Sequence, residues 1–371
     1  MRYFFSSGEA SGELSATLLA RAVRALDPGA EFEGIGAARM RDAGFTLWRD
    51  HSGWASMGPL AAIPRIPKLL ATMYVTALHI AKSKPDLVVL VDFGAFNVRL
   101  AKTLRLLGYR GTILDVFPPA TWLDKAKAAR DVARVMLPLT AFAHQQRFYE
   151  SLGLPIAYFG HPLVGQYTMR TSRPAPPADA GCVALLPGSR GGELRFHLPA
   201  LFEALELLRE TRPKARAVVG AADERAERIV AAAIARHGVR DVTIERGTIR
   251  AIAQADAAWV SSGTAVLETA LCGVPSVALY IITPLLVRHA RRVYSGRFIA
   301  LPNLVLEREV IPELLQQDAT PERLAAAMDA ILRAPARQYR ELEALRSALG
   351  PPDALERCAA FAVALAKDAR S

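Results

Sequence analysis

Cysteine is scarce. Cys182, Cys272 and Cys358 are the only three in 371 residues. None lies within metal-ligand spacing of another, and an odd count does not build a disulfide framework. A reducing compartment is the simplest reading of that usage. Asp-x-Asp pairs and close His/Cys/Asp clusters are also missing, so a metal site has no sequence support and none is expected. No apolar run reaches the ~20 residues needed to span a bilayer. The most suggestive stretch, Leu69 to Ile80, is uncharged but too short. The start, MRYFFSSGE, meets an acid too early for a secretory signal. Internal repeats, low-complexity tracts and blocks of like charge are absent, which excludes a solenoid and a solvated basic arm.

What is present is an ordinary globular composition, 51% hydrophobic and 22% charged. At ~150 residues per domain, the length suggests two domains. The charge is less ordinary, with 46 Lys and Arg against 36 Asp and Glu, a net +10. From Arg65 to Arg134 the count is 12 against 5. Such a surface favours anionic partners: nucleic acid, anionic lipid or phosphorylated substrates. No aromatic-and-basic RNA motif or recognition-helix signature accompanies it, so nucleic acid is not an expected partner.

Strand-like and helix-like patterns alternate. Tyr3–Ser6, Phe32–Ile35, Leu87–Val91, Thr112–Val116, Arg134–Leu137 and Ala157–Phe159 read as strands. Leu87–Val91 is apolar at every position, as a strand covered on both faces must be. The segment TSRPAPPADA, 171–180, carries three prolines without periodicity and reads as a linker. Alternation then restarts with Val183–Leu186, Ala217–Val219, Val242–Ile244, Ala257–Val260 and Ser276–Leu279. The expected fold is α/β: two doubly wound Rossmann-like domains facing a cleft, with ligands at the carboxyl ends of the strands. The first is expected over 1–170 and the second over 181–350. The helical tail, about 353–371, is a candidate to pack back on the first.

Four turns carry candidate chemistry. In Ser7-Gly8-Glu9-Ala10-Ser11-Gly12-Glu13, small residues let backbone approach a ligand, and Ser11 is available as an N-cap. The two acids suit sugar hydroxyls better than phosphate. Asp92 follows the buried strand; partly desolvated there, it suits a general base, with a helix N-cap as the alternative. In PGSRGGE, 187–193, Gly188, Gly191 and Gly192 permit close approach, Ser189 offers a hydroxyl and Arg190 a bidentate charge for a diphosphate. It lacks the spacing and terminal Lys-Ser/Thr of a Walker loop. In SSGTAVLE, 261–268, amides after Ser262 and Gly263 suit phosphate. Thr264 and Glu268 lie one helical turn apart, so both can face one ligand, the acid suiting ribose hydroxyls; a plain helix with a structural glutamate is the alternative. Asn303, in an apolar Leu-Pro-Asn-Leu setting, either reads a ligand hydroxyl or staples a loop. His161, before Pro162, reads as structural.

The segment from Met57 through Leu60, Ile63, Ile66, Leu69, Leu70 and Met73 mixes apolar residues with Arg65 and Lys68. It suits a bilayer interface or an acyl chain; a core helix with snorkelling cations is the alternative.

Seven segments occur in one order: GEASGE, MGPLAAIPRIPKLL, PDLVVLVDFGAFN, FGHPLV, LLPGSRGGE, ADAAWVSSGTAVLE and LPNLVLEREVIPELLQ. Together, from about Tyr3 to Leu324, they resemble the lipid-A-disaccharide synthase family of inverting, two-Rossmann-domain (GT-B) glycosyltransferases. The resemblance implies transfer of 2,3-diacylglucosamine from its UDP derivative to 2,3-diacylglucosamine 1-phosphate, forming a β-1,6 bond and releasing UDP. It implies Asp92 as general base, Arg190 beside the diphosphate, and Glu268 and Asn303 in the donor pocket. Glu9, Ser11 and Gly12 fall in the N-terminal active-site loop. It calls for no cofactor, and it places the protein peripherally on the anionic cytoplasmic face of the inner membrane. A second copy of the chain is a candidate partner.

The chain departs from the family pattern at Glu13 (usually Asp), at Ala95 (usually Asp), across 117–124 (usually tryptophan-rich) and at Gly165 (usually an acid). These departures motivate two alternatives, a sister transferase with another acceptor and a non-catalytic membrane-associated binder; a UDP-sugar epimerase of the same two-domain architecture is a third.

Overall fold

The computed structural model describes residues 1–51, 66–117, 125–283, 287 and 296–369. The chain forms two compact units, Met1–Gln166 with Leu349–Ser371, and Tyr167–Ala348.

The first unit alternates β1 (Arg2–Ser6), α1 (Ala10–Leu26), β2 (Glu31–Gly36), α2 (Ala38–Asp42), β3 (Thr46–Asp50), α3 (Ile66–Ser83), β4 (Leu87–Val91), α4 (Gly94–Leu106), β5 (Ile113–Val116), α5 (Ala126–Ala133), β6 (Leu137–Thr140), α6 (Ala143–Ser151) and β7 (Ala157–Tyr158). Its sheet runs β3-β2-β1-β4-β5-β6-β7, and every pair is parallel. All five residues of β4 are fully buried because both faces are covered. Leu87, Val89 and Val91 join one apolar core, with Phe5, Leu19 and Val23; Val88 and Leu90 join another, with Ile80, Leu100 and Leu104.

The second unit holds β8 (Ala180–Leu186), α7 (Gly191–Thr211), β9 (Lys214–Ala221), α8 (Glu224–His237), β10 (Val242–Arg246), α9 (Thr248–Gln254), β11 (Ala257–Ser261), α10 (Thr264–Leu271), β12 (Ser276–Tyr280), α11 (Leu301–Leu306), β13 (Glu313–Leu315), α12 (Pro321–Arg333) and α13 (Ala336–Ala348). Its parallel sheet runs β10-β9-β8-β11-β12-β13. The chain then returns to the first unit. There α14 (Ala354–Asp368) seals its core through Leu355, Cys358, Ala359, Ala362 and Val363.

β3 and β13 lie outside the expected strands: both are short edge strands, β3 exposed or half-buried throughout and β13 burying only Leu314, and one expected boundary moves. Residues 134–136 close α5 instead of opening a strand: the amides of Arg134 and Met136 donate to the carbonyls of Arg130 and Val132 at 3.1 and 3.0 Å. β6 therefore starts at Leu137.

The expected membrane-facing stretch also changes. Met57, Leu60 and Ile63 lie outside the described residues, and Ile66 opens α3. Leu69 is half-buried and Leu70 is 42% exposed. Met73 is a core residue, buried with Ala77 and Ile80 against β4, because its side of α3 faces the sheet. The outer face carries Leu70, Tyr74, Val75 and Leu78 instead. No helix among the described residues is long and apolar enough to cross a membrane.

Candidate active site

In a doubly wound sheet, ligands bind where the strand order reverses. That point lies between β1 and β4 in the first unit and between β8 and β11 in the second. The four turns leaving these strands are the four that the sequence singles out.

At the β1–α1 turn, Glu9 is the half-buried N-cap of α1, and its carbonyl accepts from the amide of Glu13 at 2.9 Å. Ser11 lies inside the first turn of α1 and is not its cap; its hydroxyl donates to Oδ2 of Asp92 at 3.2 Å. Gly12 permits that approach, since a β-carbon there would stand 3.2 Å from the Val91 carbonyl oxygen and 3.4 Å from Cβ of Asp92. A β-carbon on Gly8 would fall on the ring of Phe93. Glu13 is buried, and its Oε1 accepts from the amides of Ala37 and Met40 at 2.9 and 3.0 Å, at the start of α2. That acid is structural: it neutralises orphan donors at a helix N-terminus.

β4 ends in two consecutive left-handed residues, Asp92 and Phe93, with φ of 42° and 85°. Non-glycine residues adopt this conformation only where the surroundings enforce it. Here Asn97 does so: its Nδ2 donates to the carbonyls of Asp92 and Val91 at 3.2 and 3.4 Å, and the Ser6 hydroxyl donates to its Oδ1 at 2.9 Å. The turn directs Asp92 outward. Asp92 is exposed rather than partly desolvated, and it does not cap α4, whose N-cap is Phe93. The amide of Phe93 donates to its Oδ1 at 3.0 Å. The desolvated acid is one strand away. Asp115, in β5, is 2% exposed, and burial, with the charge of Asp92 second, pushes its carboxyl up to about 8. An apolar strand context hides such a residue from pattern reading.

In the second unit, Gly188 adopts φ +101° with the Glu193 side chain packed where a β-carbon would sit. Arg190 is the N-cap of α7. Two amides of the PGSRGGE turn are engaged from within the helix: Oε2 of Glu193 accepts from the amides of Ser189 and Arg190 at 3.1 and 3.2 Å. Its Oε1 lies 3.2 Å from the Arg190 guanidinium. Glu193 therefore supplies the first anion at this helix start and orients the arginine. His197, one turn further, has the sequence setting of an ordinary helix residue. Its Nδ1 lies 2.7 Å from the Pro187 carbonyl oxygen, and its Nε2 accepts the Ile281 amide at 2.9 Å. Those bonds define a neutral ring with its proton on Nδ1, and burial pushes its pKa down. It ties the PGSRGG turn to the exit of β12.

At the β11–α10 turn, the Ser262 amide completes the sheet on the Leu279 carbonyl at 3.0 Å. Gly263 caps α10 at φ +153°, and Thr264 is its first residue. The helix start thus presents first-turn amides, the ordinary seat for an anion. Glu268, half-buried, accepts the Tyr167 hydroxyl at 2.8 Å on Oε1. Asn303 is fully buried. Its Oδ1 accepts the amides of Val310 and Ile311 at 2.6 and 2.9 Å, and its Nδ2 donates to the Ile311 carbonyl and to Glu313 at 2.8 and 2.7 Å. Of the two readings of Asn303, the structure gives it the loop staple, with its amide saturated.

Comparison with known proteins bears on the family and the fold. The family model described as lipid-A-disaccharide synthetase matches residues 3–349. A lipid-A-disaccharide synthase of Syntrophus aciditrophicus is 34% identical over 377 residues, covering 97% of each chain. Among solved structures, Acinetobacter baumannii MurG has a TM-score of 0.59 at 16% identity, covering 98% of this chain and 99% of its own. A UDP-GlcNAc 2-epimerase from Neisseria meningitidis has a TM-score of 0.64 at 10% identity, covering 98% and 100%. The two structures share the fold, and fold alone does not separate a transferase from an epimerase. The sequence relationship does: the chain belongs to the lipid-A-disaccharide synthetase family.

Proposed function

We propose that the protein is a lipid-A-disaccharide synthase, transferring 2,3-diacylglucosamine from UDP-2,3-diacylglucosamine to the 6-hydroxyl of 2,3-diacylglucosamine 1-phosphate. The observation that carries the mechanism is the Ser11–Asp92 hydrogen bond at the carboxyl edge of β4. It fixes an exposed carboxylate on a strained turn, where an acceptor hydroxyl can reach it. Asp92 takes the proton of that hydroxyl as its oxygen attacks the anomeric carbon. The bond from that carbon to the UDP oxygen breaks, the configuration inverts, and UDP leaves with the electron pair.

Arg190, oriented by Glu193, offsets the charge that develops on the diphosphate, and the first turn of α10 at Gly263 and Thr264 seats a phosphate. Glu268 addresses ribose hydroxyls, while Gly188 and Ser189 shape the turn before Arg190. Glu9 addresses sugar hydroxyls at the N-terminal loop, and Asn303 acts by holding the segment that follows it. A sugar nucleotide brings its own leaving group, so base, charge stabilisation and orientation suffice.

The acylated substrates and the membrane site rest on α3. Its exposed Leu70, Tyr74, Val75 and Leu78, beside Lys68, suit the anionic cytoplasmic face of the inner membrane. The test is UDP release and product mass with both acylated sugars in detergent. A disaccharide 1-phosphate that disappears with Asp92→Ala supports the reading. Folded protein that binds UDP and makes no product refutes it.

A further inference from the structure

Asp115 has no part in the mechanism above. It sits in a four-residue strand whose other members, Ile113, Leu114 and Val116, are apolar and buried. Its cross-strand partners are Leu90 in β4 and Pro138 in β6. Alternation places it on the face of Ile113, which packs with Val88, Leu90, Leu100 and Val132. Its Oδ2 has no hydrogen-bond partner among the described residues. An ionised carboxylate there would be an uncompensated buried charge.

The two acids are close in the ladder. Leu90 pairs with Asp115, Val91 pairs with Val116, and the amide of Asp92 donates to the Val116 carbonyl at 3.0 Å. Asp92 is thus the diagonal cross-strand neighbour of Asp115. Other charges on the packed elements are engaged elsewhere or exposed. On α4, Lys102 pairs with Asp131 of α5, Arg105 donates to the carbonyls of Val135, Tyr109 and Gly111, and Arg99 is exposed. On α5, Lys127 and Arg130 are exposed, and β6 carries no ionisable residue. Among the described residues, Asp92 is the charge that bears on Asp115, second to burial.

We propose that Asp92 and Asp115 form a coupled carboxyl pair, in which the buried member holds a proton and so sets how strongly the exposed member takes one from the acceptor. This rests on Asp92 being the base. Asp115 touches no reacting atom; it is a positioning residue acting through charge. Burial and the neighbouring charge hold its proton to about pH 8. Coupling is reciprocal. Once Asp115 ionises, a proton on Asp92 is more favourable, and Asp92 becomes a stronger base. Asp115→Asn freezes the neutral state in nearly the same shape.

The experiment measures kcat for UDP release by the full chain from about pH 6 to about pH 10. Wild type steps upward by roughly two- to five-fold around pH 8, whereas Asp115→Asn keeps its neutral-pH kcat within about two-fold and shows no step. Superimposable profiles overturn the pair. Difference infrared spectroscopy gives a readout that needs no turnover and no Asp115 variant. The protonated-carboxyl band of wild type is lost near pH 8, and Asp92→Asn moves that midpoint lower. A midpoint unmoved by Asp92→Asn overturns the pair as well. Turnover that survives Asp92→Ala instead removes Asp92 as the base and leaves the infrared shift intact, so the two failures are distinguishable.

Discussion

The carboxylate of Glu193 grips Arg190 twice, through the guanidinium with Oε1 and through the backbone amide with Oε2, both at 3.2 Å. The cation expected to meet UDP is therefore held by an acid of its own helix. Glu193→Ala should lower kcat/KM by about 10- to 100-fold, mostly through KM for the donor, by releasing both the arginine and two amides. Glu193→Gln keeps an acceptor oxygen for the amides and should fall between. Steady-state kinetics with a melting curve for each variant checks this; an unchanged KM in folded Glu193→Ala contradicts it.

The contact between Gly8 and Phe93 fixes the left-handed turn that carries Asp92. Gly8→Ala should displace the Phe93 ring and reduce kcat by about ten-fold or more, since small misplacements of a base are costly. Adding Phe93→Leu should recover part of that loss by making room. A double-mutant comparison in which the second change gives no recovery would place the effect elsewhere.

Gly165 stands where the family pattern carries an acid, and the reason lies in the returning chain. A β-carbon there would run into the carbonyl of Pro352, just before α14. Gly165→Asp should therefore cost about 1–3 kcal/mol through overpacking, read as a lower Tm. A Tm equal to wild type would show that Pro352 yields freely.

His161 gives a pH dependence with a definite sign. Its ring lies 5.8 Å from that of Phe117 and 5.5 Å from that of Phe142, and its Nδ1 accepts the Leu163 amide at 3.2 Å. Burial pushes it down from 6.5 to about 4. Below pH 6.5 the unfolded chain gains a proton that the folded one refuses, so the stability this ring contributes falls by about 3 kcal/mol on descending to about pH 4. Asp115 has the opposite sign. Its raised value makes its contribution full below about 3.8 and lost as pH rises through about 8. Thermal unfolding should show the advantage of wild type over His161→Gln shrinking between pH 7 and pH 5. A difference independent of pH would be the contrary result.

Much of this architecture is legible in the sequence because doubly wound folds place buried strands and small-residue turns at regular intervals. Leu87–Val91 is apolar at every position, as a central strand covered on both faces is, and the four ligand-edge turns stand out by their glycines, serines and acids. What the sequence hides is how polar groups are spent. Glu193, Asn97 and His197 look like ordinary helix residues until their partners, distant in space or backbone in kind, are known. Asp115 looks like a lapse in an apolar strand. On α3, helical spacing separates two faces, but only packing shows that Met73 belongs to the inner one and Tyr74 to the outer.

The path of the chain orders its own synthesis. The first unit needs α14 to close over Leu19 and Val23, yet all 182 residues of Tyr167–Ala348 are made before α14. The second unit has every residue it requires while the first is still open on one side. The amino-terminal half thus lacks its last piece until the whole of the later half has been made, and a chain cut short before α14 keeps every residue of the second unit but not of the first.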